Sequence, residues 1–138
     1  AHVYFPDGLV SRVESMDWRS KECDAAILKI TPLEKKRNVN IGFSRSDDIT
    51  DFMGVTTFGY QATQQYTSRG VVNDINGIIT SPHSFGTAVP GLEGFSGGPM
   101  ANKKAEIVGI NSYGMFGDLG AARIYSALPQ IDRILRLG

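Results

Sequence analysis

Short apolar runs separated by turn-forming residues recur along most of this chain. Stretches 27–30, 55–60, 66–72, 77–80, 99–101, 107–112 and 124–127 are brief and apolar-rich, with turn-forming residues in most of the intervals between them. That spacing predicts β-strands rather than helices. Residues 73–77 and 101–104 carry the residue types of hairpin connections. Only the end departs from the pattern. Ile131, Ile134 and Leu135 fall at helical spacing, with Arg133 and Arg136 on other faces. A short C-terminal helix is expected from about Pro129, where a proline suits the first turn. Residues from about 30 to 52, rich in Lys, Arg, Asn, Ser and Asp, read as a connection between two folded parts.

Composition narrows the classes. The 138 residues, with 41% hydrophobic content and 16 glycines, suit one all-β globular unit with a real core. Net charge is zero and the basic residues are scattered, so no footprint for nucleic acid is present. Lys35-Lys36-Arg37 reads as a solvated loop. Asp47, Asp48 and Asp51 lack calcium-loop spacing and read as turn and capping residues. Neither a metal nor a cofactor is implied. The single cysteine, Cys23, excludes an intramolecular disulfide and favours a cytoplasmic or viral setting. No apolar stretch approaches the length of a membrane span.

The chemistry concentrates in Gly94-Phe95-Ser96-Gly97-Gly98-Pro99. A serine hydroxyl needs a base to take its proton and donors to hold the resulting oxyanion. Flanking glycines let backbone N–H groups approach that oxyanion without a Cβ in the way. The segment also contains G-x-S-x-G, the nucleophile elbow of α/β-hydrolases, whose histidine follows the serine. Here both histidines, His2 and His83, precede Ser96, and Pro99 stands where a helix would run. The elbow reading fails.

An order of His, Asp, Ser is the chymotrypsin-type arrangement. His2, Asp24 at the head of Asp24-Ala25-Ala26-Ile27-Leu28-Lys29-Ile30, and Ser96 supply it. On these residues the chain resembles the trypsin-like (chymotrypsin-fold) serine peptidases, especially their compact bacterial, HtrA-like and viral branches. Ala1-His2 resembles the end of the family's "TAAH", and 24–30 its "DIALLK" strand. Residues 94–99 match "GxSGGP", and 107–114 resemble "LVGIVSWG". The serine motif is the specific one. Taken singly, His2 could be a solvated terminal residue and Asp24 a turn residue, although small Ala25 and Ala26 would let a carboxylate be buried against an imidazole.

The resemblance implies a double β-barrel closed by a C-terminal helix. Residues 1–51 would be the remainder of the first barrel with the connection, and 52–138 the second barrel. It implies a serine endopeptidase: Ser96 as nucleophile, His2 as base, Asp24 orienting His2, and the N–H groups of Gly94 and Ser96 as oxyanion hole. Ser112, Tyr113 and Gly114 would pair with substrate backbone. Pocket walls are expected from 90–93, 111–114 and 122–124. Pro90 falls where trypsin-type enzymes carry an aspartate, so cleavage after Lys or Arg is not expected. Arg123 could favour an acidic side chain or simply face solvent. The partner implied is a protein or peptide substrate. His2 stands where the family has already completed several strands, so the resemblance implies that the N-terminal half of the first barrel would be missing from this chain. A separate N-terminal segment is therefore a second expected partner, without which residues 1–138 should aggregate or be nearly inactive. The alternative is a catalytically impaired module of this fold that binds a peptide or protein in its groove.

Overall fold

The computed structural model describes residues 1–5, 7–21, 24–32, 42–43, 49–75, 83–91, 93–115 and 117–123. Every regular element among them is a strand: β1 (His2–Tyr4), β2 (Val10–Ser20), β3 (Ala25–Ile30), β4 (Gly54–Gln61), β5 (Gln64–Asp74), β6 (Ser84–Pro90), β7 (Pro99–Asn102), β8 (Ile107–Met115) and β9 (Asp118–Arg123). The expected strands at 77–80 and 124–127 and the C-terminal helix lie outside the described residues.

Two sheets form. β1, β2 and β3 make a three-stranded antiparallel sheet, and the other six close a barrel in the order β4-β5-β6-β9-β8-β7. Closure removes edges and gives each strand an inward and an outward face. On β4 the alternation buries Val55, Thr57 and Gly59 and leaves Phe58 and Tyr60 outside. Val72, Phe85, Val89, Phe95, Met100, Val108 and Ala121 fill the interior, all at 1% exposure or less. Removing the largest strand-borne member tests this core. Phe85→Ala is expected to cost about 3–5 kcal/mol of unfolding free energy in chemical denaturation.

Buried hydroxyls in the barrel are matched to carbonyls. Thr57 Oγ1 donates to Pro99 O at 2.7 Å, and Thr87 Oγ1 to Leu119 O at 2.7 Å. Those bonds lace β4 to β7 and β6 to β9 across the interior.

The first sheet is different in kind. It contributes no side chain to the hydrophobic core, and Tyr4, Val10, Met16 and Leu28 are exposed. The register sets Tyr4 opposite Val10 and Met16 opposite Leu28, so the exposed apolar groups form cross-strand pairs. β1 and β3 are both edge strands.

Candidate active site

The serine turn leaves the barrel between β6 and β7, and its shape is fixed by glycine. Gly94 has φ +98° and Gly97 φ +84°, both in the left-handed region. A Cβ at Gly94 would also run into the Tyr60 carbonyl of β4. Between the two, the Phe95 ring turns inward to 1% exposure and lies over Gly59, where a Cβ would collide with it. Phe95 anchors the turn, and Ser96 beside it is exposed.

Hydrogen bonds then clip the turn to β8. Gly97 N–H donates to Asn111 O at 2.8 Å, and Asn111 N–H to Gly98 O at 2.9 Å. Gly98 N–H and Asn111 Nδ2 both donate to the Phe95 carbonyl, each at 3.0 Å. In a trans peptide the C=O and N–H of one unit point in opposite directions. With the Phe95 carbonyl held inward, the Ser96 N–H faces outward. Among the described residues neither that N–H nor the N–H of Gly94 has an acceptor.

Ser96 borders a cavity of about 150 Å³. Gly91 forms one wall, Asn111, Ser112 and Gly114 of β8 another, and Gly117, Asp118 and Leu119 a third. Gly91 N–H donates to Gly117 O at 2.7 Å, tying the first wall to the third. Sequence expected the third wall at 122–124. Among the described residues the lining of this cavity includes Gly117, Asp118 and Leu119, which places the start of β9 beside it.

Asp24 sits in the turn before β3, at φ +49°. Ser112 Oγ donates to Asp24 Oδ2 at 2.5 Å, joining the three-stranded sheet to the cavity wall. Sequence allowed for a buried carboxylate here; Asp24 is exposed, with no strand over it among the described residues. His2 lies exposed on β1, paired with Arg12, its ring tilted 50° to that of Tyr4 with centroids 6.4 Å apart. Among the described residues the structure gives His2 no hydrogen bond to Asp24 or Ser96. His83 is partly buried in the turn before β6.

The remaining expected site residues fall on adjacent strands. β7 pairs with β8 only as far as Ile110, and β9 covers the opposite edge of β8 out to Met115. From Ser112 to Gly114 the β7-side edge of β8 therefore has no strand partner among the described residues. An extended peptide can add to such an edge. Tyr113 pairs with Gly120 and Arg123 with Gly109, which places both backbones in the wall of the barrel.

Sequence reasoning passed over Thr57 and placed Asn111 only among the expected pocket walls. Asn111 is 2% exposed, and its Nδ2 donates to Thr57 Oγ1 at 2.6 Å as well as to Phe95 O. Among the described residues its Oδ1 is buried without a partner, an arrangement that ordinarily costs about 1–3 kcal/mol. A polar residue at position 111 between apolar Val108, Ile110 and Tyr113 was the available signal.

No protein-family model and no curated protein matches the chain. Solved structures do share its fold. The HtrA-type protease AlgW, solved with a decapeptide, superposes with a TM-score of 0.76 at 20% sequence identity. The match covers 98% of this chain and 44% of that one, so the chain spans less than half of that protein's length. The closed six-stranded barrel with its companion sheet is the fold of the trypsin-like serine peptidases.

Proposed function

We propose that this chain is the catalytic part of a serine endopeptidase acting through His2, Asp24 and Ser96. The observation that carries the proposal is the Ser112–Asp24 hydrogen bond, which ties Asp24 to the cavity that Ser96 borders. In this reading Ser96 Oγ attacks the scissile carbonyl carbon while His2 takes its proton. The C–N bond breaks as His2 returns that proton to the leaving amine, and water then hydrolyses the acyl-enzyme by the same steps. Asp24 orients the imidazole, and the N–H groups of Gly94 and Ser96, which have no acceptor among the described residues, hold the oxyanion. Substrate enters as a strand along Ser112, Tyr113 and Gly114, with Arg123 nearby on β9. The decapeptide in the AlgW structure supports a peptide as the ligand class. The exposed apolar pairs of the first sheet support a further segment that completes it as a barrel.

The test is labelling with a fluorophosphonate probe followed by peptide mapping. With the segment that completes the first sheet supplied, a single modified site at Ser96 is expected; an unlabelled protein, or a label elsewhere, then overturns the reading. Ser112→Ala probes the carboxylate separately. Because Asp24 is exposed and screened, the loss is expected to be modest, about threefold to tenfold in kcat. Steady-state kinetics checks it.

A further inference from the structure

We propose that Asn111 and Thr57 are positioning residues that hold the Phe95–Ser96 peptide in the orientation an oxyanion hole requires. The proposal rests on the peptidase reading and adds to it the groups that set the geometry of the Ser96 N–H.

The Phe95 carbonyl is the control point. Whatever fixes that oxygen inward fixes the Ser96 N–H outward, because the two belong to one planar trans unit. One of its two donors, Gly98 N–H, is local to the turn. The other, Asn111 Nδ2, comes from β8, 16 positions away, and is itself held by Thr57 of β4, 54 positions from Asn111. The orientation of the turn is thus tied to two strands of the barrel.

The carboxamide of Asn111 has no choice of orientation. Phe95 O can only accept. Thr57 Oγ1 has committed its hydrogen to Pro99 O at 2.7 Å, so towards Asn111 it can also only accept. Both neighbours call for N–H, and Nδ2 serves both, leaving Oδ1 buried with no donor among the described residues. An apolar residue of similar size would remove that defect. A buried polar group kept at such a cost points to a role at the site rather than to stability. The backbone of Asn111 already clips Gly97 and Gly98, so the side chain is not needed merely to attach the turn. Without it, Gly98 N–H alone holds the Phe95 carbonyl, and the Phe95–Ser96 peptide can more readily turn that carbonyl towards the cavity, where it would repel an oxyanion.

The experiment compares Thr57→Val, Thr57→Ser and Asn111→Leu with the unaltered chain. Asn111→Leu is expected to lower kcat by about a hundredfold with KM within twofold, the size of effect seen when one oxyanion donor is lost. Affinity for a peptide boronate should fall by the same factor, and affinity for the uncleaved peptide should not. Thr57→Val should lower kcat by about tenfold, and Thr57→Ser, which keeps the hydroxyl, should restore it. Unchanged kcat, or a loss that tracks only KM or the unfolded fraction, overturns the proposal. A readout independent of catalysis is amide hydrogen exchange at Gly98, whose N–H bonds the same carbonyl. It should accelerate at least tenfold in Asn111→Leu, and unchanged exchange overturns the proposal. If the unaltered chain, with the segment that completes the first sheet supplied, takes no fluorophosphonate, the peptidase reading fails while Gly98 exchange still decides whether the clamp exists.

Discussion

Ser96→Ala is expected to take up no fluorophosphonate and to lose peptide turnover by roughly four to six orders of magnitude, leaving only the catalysis that binding and the oxyanion donors provide. Ser96 is exposed and its side chain supports no packing, so thermal unfolding should be almost unchanged, as for other surface substitutions. His2→Ala should give a comparable loss, since a serine hydroxyl without its base is a weak nucleophile. The chain has only one other histidine, His83, in the turn before β6. Wild-type turnover in His2→Ala would remove His2 from the mechanism. A parallel loss in His83→Ala would give the base to that residue instead. Rates measured on a fluorogenic peptide, with circular dichroism to verify folding, decide between these outcomes.

Gly94→Ala carries the second large effect, through backbone geometry. The new Cβ meets the Tyr60 carbonyl, and φ +98° is closed to alanine at low energy. The turn must move, and with it the Gly94 N–H and the neighbouring Ser96. A loss of about 10²–10³-fold in kcat is expected, the range for removal of one oxyanion-hole donor. Gly97→Ala is the matched control: its φ is +84°, yet nothing lies within 4 Å of the added Cβ. It imposes backbone strain without the collision, so its loss should be markedly smaller. Equal activity of Gly94→Ala and the unaltered chain would show that the Gly94 N–H takes no part in turnover.

The strands that sequence located are those whose own residues declare a face. Residues 55–60 and 107–112 alternate or cluster apolar side chains, and both lie within observed strands, β4 and β8. β2 was not anticipated because its sequence, rich in Ser, Arg, Glu and Asp, presents an open sheet mostly to solvent. β6 and β9 were missed for another reason. Gly86 and Pro90 interrupt the one, and Gly120, Ala121 and Ala122 give the other no bulk to show periodicity. Their pairing in the closed barrel, Phe85 opposite Ala121, supplies what local propensity does not.

The sequence by itself determined the serine turn and the all-β class and named the candidates for the chemistry, because each is written in contiguous residue types. Glycines that permit φ near +90°, an apolar anchor at Phe95 and short strands are local properties. Tertiary structure alone decided how those parts are held together. The Ser112–Asp24 bond spans 88 positions and the Asn111–Thr57 bond 54. Whether one hydroxyl meets a carboxylate and another an amide depends on closure of the barrel and the register of β8 against β7 and β9. Those are long-range pairings, made only when the whole apolar interior is buried at once, and no stretch of neighbouring residues encodes them.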